Sequence, residues 1–345
     1  MMRRYECCSM QKVYFFLLIA VAIQYASATA QTQPGKFRIK GEATGFADST
    51  AIYLEDLSSS SPVAIDSAVI INNQFSFSGV NKKGIVQVIL NTKNFGDYKY
   101  FWLENSTITF KAEKGKFREA VITGSKTQHL GEELDAEIKK NGHEKEHSIA
   151  FIQNHPNSII SANILSVYAS TWGKDTAMLL YRHFSPANKK TTYGKNILLF
   201  ITLNKNVKVG DQYVDFTEPD TGGKNVSLSQ FKGKIILLEF WGTWCGPCRE
   251  GNPELVKIYN EFKSAGFNIL GVAADSDKKF WIESVKKDSL SWTNVCDLKG
   301  DKNKAALIYG VSYYPTNFLI DKNGKIIARD LRGDDLRKKL HELLN

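Results

Sequence analysis

Cysteine and long hydrophobic runs are scarce in this sequence. The 345 residues contain 5 cysteines, too few for a small domain held together by disulfides. The apolar run Val13 to Ile23 has eleven residues, whereas a helix that crosses a bilayer needs about 20. No stripe of basic residues interleaved with aromatics is present, which argues against a nucleic-acid site. The 43% hydrophobic and 23% charged residues are ordinary for a folded protein and exclude wholesale disorder.

The amino terminus has the layout of a secretory signal peptide. Basic residues precede the apolar run, and small residues follow it, ending in Ala28-Thr29-Ala30. This order predicts that residues 1–30 are removed on export, with an uncleaved signal anchor as the alternative. No cysteine stands at the cleavage point, which disfavours a lipoprotein anchor. We therefore expect a protein of the periplasm or cell envelope that keeps three cysteines, Cys245, Cys248 and Cys296.

The residues that give the net charge of +9 are spread along the chain. Residues 1–30 hold three basic residues and one acidic residue, and the rest of the chain keeps +7. Residues 207–345 carry 21 Lys+Arg against 19 Asp+Glu, so most of the surplus is spread as single and paired lysines over residues 31–206. The charge predicts a solvated basic surface rather than a nucleic-acid partner.

The chain divides into three regions by its residue patterns. Residues 31–125 contain short runs rich in β-branched and aromatic residues, and they predict a small antiparallel β-sandwich with a role in binding or dimerisation. Residues 126–206 have helical periodicity and predict a connector that packs this sandwich against the C-terminal region. In residues 207–345 strands alternate with helices, from the buried strand at 235–241 to a closing helix with Leu336 and Leu340, and predict an α/β layer.

A histidine motif in the connector has the spacing of a zinc site. His143-Glu144-Lys145-Glu146-His147 matches the zinc-protease pattern, which requires both histidines on one face of a buried helix and a further ligand. Asn141-Gly142 interrupts the helix just upstream, and the flanking lysines indicate a wet surface. His155 stands beside a proline in a predicted turn. We expect a solvated segment here and no metal.

The strongest chemical signal is a cysteine pair between a buried strand and a helix, in the motif Trp244-Cys245-Gly246-Pro247-Cys248. The backbone N–H groups and dipole of a helix N-terminus stabilise a thiolate there. Cys245, at the exposed edge, is the expected nucleophile, and Cys248, more buried and with a higher pKa, is expected to resolve the mixed disulfide. A permanent disulfide or half of a zinc site is the alternative. Cys296 is expected to be a core thiol rather than a third redox partner.

Two residues outside the motif are further candidates. Glu239 lies in the apolar strand before the cysteines, where burial would raise its pKa and suit it to exchange a proton with Cys248. The alternative is a strand-end carboxylate that faces solvent. Pro315 precedes a strand, and a cis bond there would hold the Tyr314 backbone beside Cys245, where it can bind an extended substrate. An ordinary proline at a strand entry is the alternative.

These residues resemble a known family. Residues 241–249, with Glu239 upstream and Pro315 downstream, resemble the thioredoxin superfamily, and Val209-Gly210-Asp211, 228–234 and 318–321 look like exported TlpA/ResA-type thiol–disulfide oxidoreductases. The resemblance covers about 207–345. It implies a thioredoxin fold, preceded by a domain of unknown function often fused to such modules in bacteria. It also implies site roles: a nucleophile, a resolving thiol, a buried acid and a cis-proline, at Cys245, Cys248, Glu239 and Pro315, with substrate contacts from Trp244, Gly246, Pro247 and Tyr314.

The resemblance also implies a function. The Gly-Pro dipeptide between the cysteines is that of thioredoxin, whose potential is about −270 mV. We expect a reductase of exported protein disulfides, linked to cytochrome c maturation or repair, recharged by a membrane-bound thiol reductase, without a cofactor, and dimeric through its N-terminal domain. A thiol peroxidase is one alternative, because 210–234 also resembles peroxiredoxin-like modules, although Thr243 lies too near Cys245 for that motif. A surface binding module with an accessory redox site is the other.

Overall fold

The computed structural model describes residues 35–58 and 62–344. The predicted signal peptide, residues 1–30, lies outside these residues. The first described region consists of eight strands: β1 (Lys36–Thr44), β2 (Thr50–Asp56), β3 (Val63–Ile70), β4 (Gln74–Val80), β5 (Val86–Thr92), β6 (Tyr98–Leu103), β7 (Thr107–Glu113) and β8 (Val121–Thr123). They form two four-stranded sheets, in the orders β4-β1-β7-β8 and β3-β2-β5-β6.

The two sheets face each other across one hydrophobic core. Exposed and buried residues alternate along β1, which places Ile39 inside with Phe110 of its own sheet and Leu54 and Val88 of the other. The predicted sandwich is therefore confirmed, but its purely antiparallel character is wrong, because β1 and β7 pair in parallel. Alternation along a strand specifies the face that is buried and leaves the choice of neighbouring strand to the tertiary packing.

Six helices follow the sandwich, as the periodicity predicts: α1 (Lys126–Asn141), α2 (Glu144–Asn154), α3 (Ile159–Trp172), α4 (Lys174–Arg182), α5 (Pro186–Lys190) and α6 (Thr192–Leu203). Trp102 of β6 packs with Leu134 and Ile160 of these helices. At the other end, the Asn204 side chain donates to the Leu307 carbonyl at 3.2 Å. The helical region thus contacts both of its neighbours, as predicted. Among the described residues, no helix is both long enough and apolar enough to cross a membrane.

The third region is an α/β layer. Its elements are β9 (Thr217–Pro219), β10 (Asn225–Ser227), β11 (Ile235–Trp241), α7 (Gly246–Phe262), β12 (Phe267–Ala273), α8 (Lys278–Lys287), β13 (Thr293–Val295), α9 (Lys304–Tyr309), β14 (Thr316–Ile320), β15 (Ile326–Arg329) and α10 (Gly333–Leu344). The main sheet has the order β13-β12-β11-β14-β15. The first three strands are mutually parallel, and β14 runs antiparallel to β11. This is the thioredoxin fold that the resemblance implies.

Strand β11 lies at the centre of that sheet, and all of its residues are buried. Ile236 and Leu238 contribute to the hydrophobic core on one face. Ile235 and Leu237 contribute to the core on the other face, together with α7 and with Leu336 of α10. Because side chains alternate along a strand, Glu239 lies on this second face, on the side of the cysteine-bearing helix.

Candidate active site

The cysteine pair lies at the N-terminus of α7. Cys245 caps the helix, and its Sγ accepts a hydrogen bond from the Cys248 backbone N–H at 3.2 Å. Pro247 occupies the first turn, where its missing N–H costs nothing because helix-start N–H groups lack intrahelical partners. A disulfide joins Cys245 and Cys248, with their Cα atoms 5.2 Å apart. The sulfur that is predicted to react therefore lies where a helix N–H and the helix dipole can stabilise a thiolate.

The predicted difference in exposure between the two cysteines is absent from the disulfide form. Cys245 and Cys248 are each 4% exposed, so the expectation of an exposed Cys245 and a more buried Cys248 is wrong for this state. The capping sulfur is turned into the helix and bonded to a buried partner, so it cannot project outwards. The neighbouring Trp244, 61% exposed, occupies the outward position instead.

The Trp244 side chain is held against the site. Its indole N–H donates to the Ala274 carbonyl at 2.9 Å, and its ring meets Tyr314 edge-on with 5.3 Å between ring centres. A Cβ on Gly242 would lie 2.7 Å from the indole, so only glycine allows this close approach. The result is a fixed, exposed aromatic surface beside the disulfide.

Glu239 is a buried carboxyl group beneath the disulfide. It lies opposite Asn317 in the β11–β14 pairing and is 9% exposed. Burial raises its pKa to about 8, against the opposing effects of a hydrogen bond with the Asn317 side chain and the positive charge of Arg332. The expected rise in pKa is confirmed, and the alternative of a carboxylate facing solvent is wrong.

A cavity of about 110 Å³ lies between Glu239 and Cys248. Its lining includes Glu239, Cys248, Pro315, Asn317 and Arg332, with α10 contributing Leu336. Cys245 does not line it. Within this region the carboxyl group and the second cysteine therefore face a common space in which a proton can pass between them.

The peptide bond between Tyr314 and Pro315 is cis, as predicted. Pro315 is buried, whereas Tyr314 is half-buried beside Trp244. The Pro315 carbonyl accepts a hydrogen bond from the Arg332 guanidinium. The binding of substrate by the Tyr314 backbone remains a prediction.

Three residues of the site carry no signal in the local sequence. Asn317 donates to the Leu331 carbonyl at 2.9 Å and also contacts Glu239. Arg332 donates a hydrogen bond to the Pro315 carbonyl, and its positive charge lowers the pKa of Glu239. Asp275 accepts hydrogen bonds from the backbone N–H and the hydroxyl of Thr243, in the loop before the cysteines. Each acts on a group many residues away, so spacing along the chain does not reveal it.

Cys296 is a free, buried thiol, as expected. Burial raises its pKa to about 11, although the Leu298 N–H bonds its sulfur at 3.4 Å. A thiol with such a pKa is almost entirely protonated at neutral pH and is a poor nucleophile. These properties support the interpretation of Cys296 as a core residue.

Replacing Cys296 with alanine is expected to leave disulfide reduction unchanged and to lower the free energy of unfolding by about 1 kcal/mol, because a small buried side chain is removed. Urea unfolding and insulin reduction measure the two effects. A loss of activity without loss of stability would instead place Cys296 in the redox path.

The histidines of the connector do not lie on the buried face of a helix. His143 precedes α2 with a left-handed backbone, His147 pairs with Glu137 at 3.1 Å, and Glu144 accepts from the Tyr168 hydroxyl. His155 is exposed and packs on Phe151. Within 35–58 and 62–344, no group of three or more His, Cys, Asp and Glu residues is placed to hold a metal ion.

Comparison with known proteins finds relatives of both halves of the chain. Residues 209–329 match the model of the AhpC/TSA family, and residues 37–130 match a domain of unknown function, DUF4369. Thiol-disulfide oxidoreductase ResA of Bacillus thuringiensis subsp. konkukian (strain 97-27) is 34% identical over 145 residues, which are 42% of this chain and 82% of the relative. ResA of Bacillus subtilis (strain 168) is 33% identical over 141 residues, 41% of this chain and 76% of the relative.

A solved structure is also similar. The thioredoxin domain of a thiol-disulfide oxidoreductase from Bacteroides vulgatus is 37% identical, covers 40% of this chain and 99% of its own, and has a TM-score of 0.39. The AhpC/TSA match at residues 209–329 covers the cysteine pair, the buried glutamate and the cis-proline. The chain therefore belongs to the ResA/TlpA-like thiol–disulfide oxidoreductases of the thioredoxin superfamily, and it carries a DUF4369 domain ahead of its redox domain.

Proposed function

We propose that this enzyme reduces disulfide bonds of exported proteins in the periplasm or cell envelope. The observation that carries the proposal is the cysteine pair at the N-terminus of α7, above a cavity shared by Cys248 and Glu239. A helix N-terminus favours the thiolate that attacks a disulfide, and the buried carboxyl group offers a place for the proton of the second thiol.

In the first step, the Cys245 thiolate attacks one sulfur of the client disulfide. A bond forms between that sulfur and Cys245, the client S–S bond breaks, and the other client sulfur leaves as a thiolate that takes up a proton. The N–H group of Cys248, now bonded to the Cys245 sulfur, stabilises the attacking thiolate before this step. Trp244, whose ring contacts that of Tyr314, and the Tyr314 backbone are the groups proposed to hold the client segment.

In the second step, Cys248 resolves the mixed disulfide. Its thiol gives its proton to the Glu239 carboxylate across the cavity that they share. The resulting thiolate attacks the Cys245 sulfur, the bond between Cys245 and the client breaks, and the second client sulfur leaves as a thiolate that takes up the proton held by Glu239. The enzyme ends as the disulfide seen in the structure and has lost two electrons. The client has gained two electrons and two protons.

The compartment and the electron donor are part of this proposal. The signal-peptide pattern in residues 1–30 supports export, and an oxidising exterior requires a membrane-bound thiol reductase that returns the pair to the dithiol. Cytochrome c maturation or repair is a candidate destination for the electrons, supported by the resemblance to exported TlpA/ResA-type enzymes.

The direction of electron flow can be measured through the redox potential. Equilibration of the purified protein with dithiothreitol or glutathione buffers is expected to give a value near that of thioredoxin, about −270 mV. A value near that of the strong oxidant DsbA, about −120 mV, would contradict a reductase and favour disulfide formation.

Replacing Arg332 with glutamine is expected to raise the pKa of Glu239 further, because the Arg332 charge lowers it in the native protein. The rate of insulin reduction should then reach its plateau at a higher pH than in wild type. Arg337→Gln is the matched control, since Arg337 pairs with Glu254 and Glu261 on the surface. Identical pH profiles for Arg332→Gln and wild type would show that the charge of Arg332 does not act on Glu239.

A thiol peroxidase is the second candidate, because residues 209–329 match the AhpC/TSA family. The Thr243 hydroxyl donates a hydrogen bond to Asp275. Thr243 lies in the loop that leads directly to Cys245. Consumption of hydrogen peroxide by the purified dithiol enzyme, lost in Cys245→Ser, would favour the peroxidase. Insulin reduction without peroxide consumption favours the reductase.

A further inference from the structure

A cleft of about 460 Å³ lies where the three regions of the chain meet. Helices α3 and α6 form one wall, and the segment from Asp301 to Tyr314 forms the opposite wall. Its volume is within the range of sites that bind ligands, about 300–1,000 Å³. No role is assigned to it by the chemistry of the cysteine pair.

The cleft adjoins the catalytic site. Tyr314 lines the cleft, and its ring contacts Trp244, the neighbour of Cys245. The next residue, Pro315, lines the cavity that holds Cys248. A chain that lies in the cleft and leaves it past Tyr314 therefore arrives beside the reactive sulfur.

The residues that line the cleft are suited to bind a polypeptide chain. The side chains of Ser166, Ser170, Asn196 and Ser312 line the cleft and form no hydrogen bond with any residue in the described ranges. They are free to pair with the N–H and C=O groups of an extended backbone. Val167, 61% exposed, and Leu199, 37% exposed, offer apolar contacts to side chains.

The charged residues of the cleft also favour a polypeptide chain as the ligand. Among the described residues that line it, Asp301 and Lys302 are the charged ones, and they have opposite signs. A phosphate or another strongly charged ligand gains little from such a pair. An uncharged, hydrogen-bonding chain fits it better.

We propose that this cleft binds an extended segment of the client polypeptide next to the disulfide that is reduced. The inference rests on the proposed function and assigns to the helical region a role in client recognition. The segment lies between α3, α6 and the wall near Tyr314, with its backbone on the free hydroxyl and amide groups and its apolar side chains on Val167 and Leu199. Small disulfides need only Cys245 and its immediate surroundings and do not use the cleft.

Two pairs of neighbouring residues give a matched test. Leu199→Trp fills the cleft, whereas Leu198→Trp places the same group on an adjacent exposed position that does not line it. Ser170→Tyr and Thr171→Tyr repeat the comparison on α3. Insulin serves as the protein substrate, and dithiobis(nitrobenzoate) as the small disulfide. Binding without chemistry is measured by fluorescence anisotropy with labelled, alkylated insulin B chain and the full-length protein.

We expect Leu199→Trp and Ser170→Tyr to raise the KM for insulin at least about fivefold, which corresponds to about 1 kcal/mol of lost binding, and to weaken B-chain binding equally. Their rates with the small disulfide and their redox potentials should equal those of wild type. Leu198→Trp and Thr171→Tyr should behave as wild type throughout.

The outcomes separate the cleft from the proposed function. If wild type reduces insulin but both cleft variants match their controls in KM and binding, the cleft is not the client site. If wild type binds the B chain through the cleft yet does not reduce insulin, the cleft assignment stands and the reductase proposal fails.

Discussion

Replacing Cys245 with serine is expected to abolish insulin reduction, with a loss of at least about 10³-fold in rate, since the nucleophile is removed and no other group forms the mixed disulfide. Cys296 cannot substitute, because it is buried and its pKa is raised to about 11. The turbidity assay with dithiothreitol as donor measures this loss. Thermal unfolding of the variant checks that it is folded.

Replacing Cys248 with serine has a different expected result. The variant keeps the nucleophile, so it should still attack a client disulfide, but it lacks the thiol that breaks the mixed disulfide. Clients should then remain attached to Cys245 and appear as reducible adducts on gels and in mass spectra. The double variant, Cys245→Ser with Cys248→Ser, is the control and should trap nothing. Adducts on Cys245→Ser that exceed those on Cys248→Ser would reverse the assignment of the two roles.

Replacing Glu239 with glutamine is expected to slow reduction about 10- to 100-fold near neutral pH, at or below the usual contribution of a general acid or base. The native carboxyl group has a pKa of about 8, so the fraction able to accept the Cys248 proton grows as the pH rises towards 8. The wild-type rate should therefore increase over this interval, and the glutamine variant should lose that increase. Glu239→Asp, which keeps a carboxyl group, should restore part of it. A glutamine variant with the wild-type profile would exclude the proton-transfer role.

The Glu239→Gln substitution is also expected to change how the free energy of unfolding depends on pH. The pKa of Glu239 rises on folding from an ordinary 4.5 to about 8, so the native state holds a proton that the unfolded chain loses. The resulting stabilisation is complete below pH 4.5 and is lost as the pH rises through 8. Glu239→Gln removes this dependence, and its stability relative to wild type should grow by up to about 1.4 kcal/mol per pH unit.

Urea unfolding at pH 5, 7 and 8.5 measures this difference. Glu218 is also buried, and its pKa is raised to about 7 by burial and by Asp297, so wild-type stability alone reports on both groups. The difference between wild type and Glu239→Gln isolates Glu239, because both proteins keep Glu218. Parallel stability curves for the two proteins would mean that Glu239 keeps an ordinary pKa.

The sequence by itself determined the features that depend on neighbouring residues. The apolar run at 235–241 predicts a buried strand, and the motif from Trp244 to Cys248 lies at the start of the following helix, as the structure has it. Strand alternation and helix capping act over only a few residues, so the chain alone reveals them. The elevated pKa of Glu239 follows for the same reason, since a carboxylate in an apolar strand is predicted to be buried.

Only the tertiary structure decided which distant groups meet. It pairs β1 with β7 in parallel, turns Cys245 inwards in the disulfide form, and brings Arg332 to the surroundings of Glu239. It also joins α3, α6 and the segment before Pro315 into one cleft. These contacts link residues far apart in the chain, and they arise because whole faces pack together. Local patterns specify each face but do not name its partner.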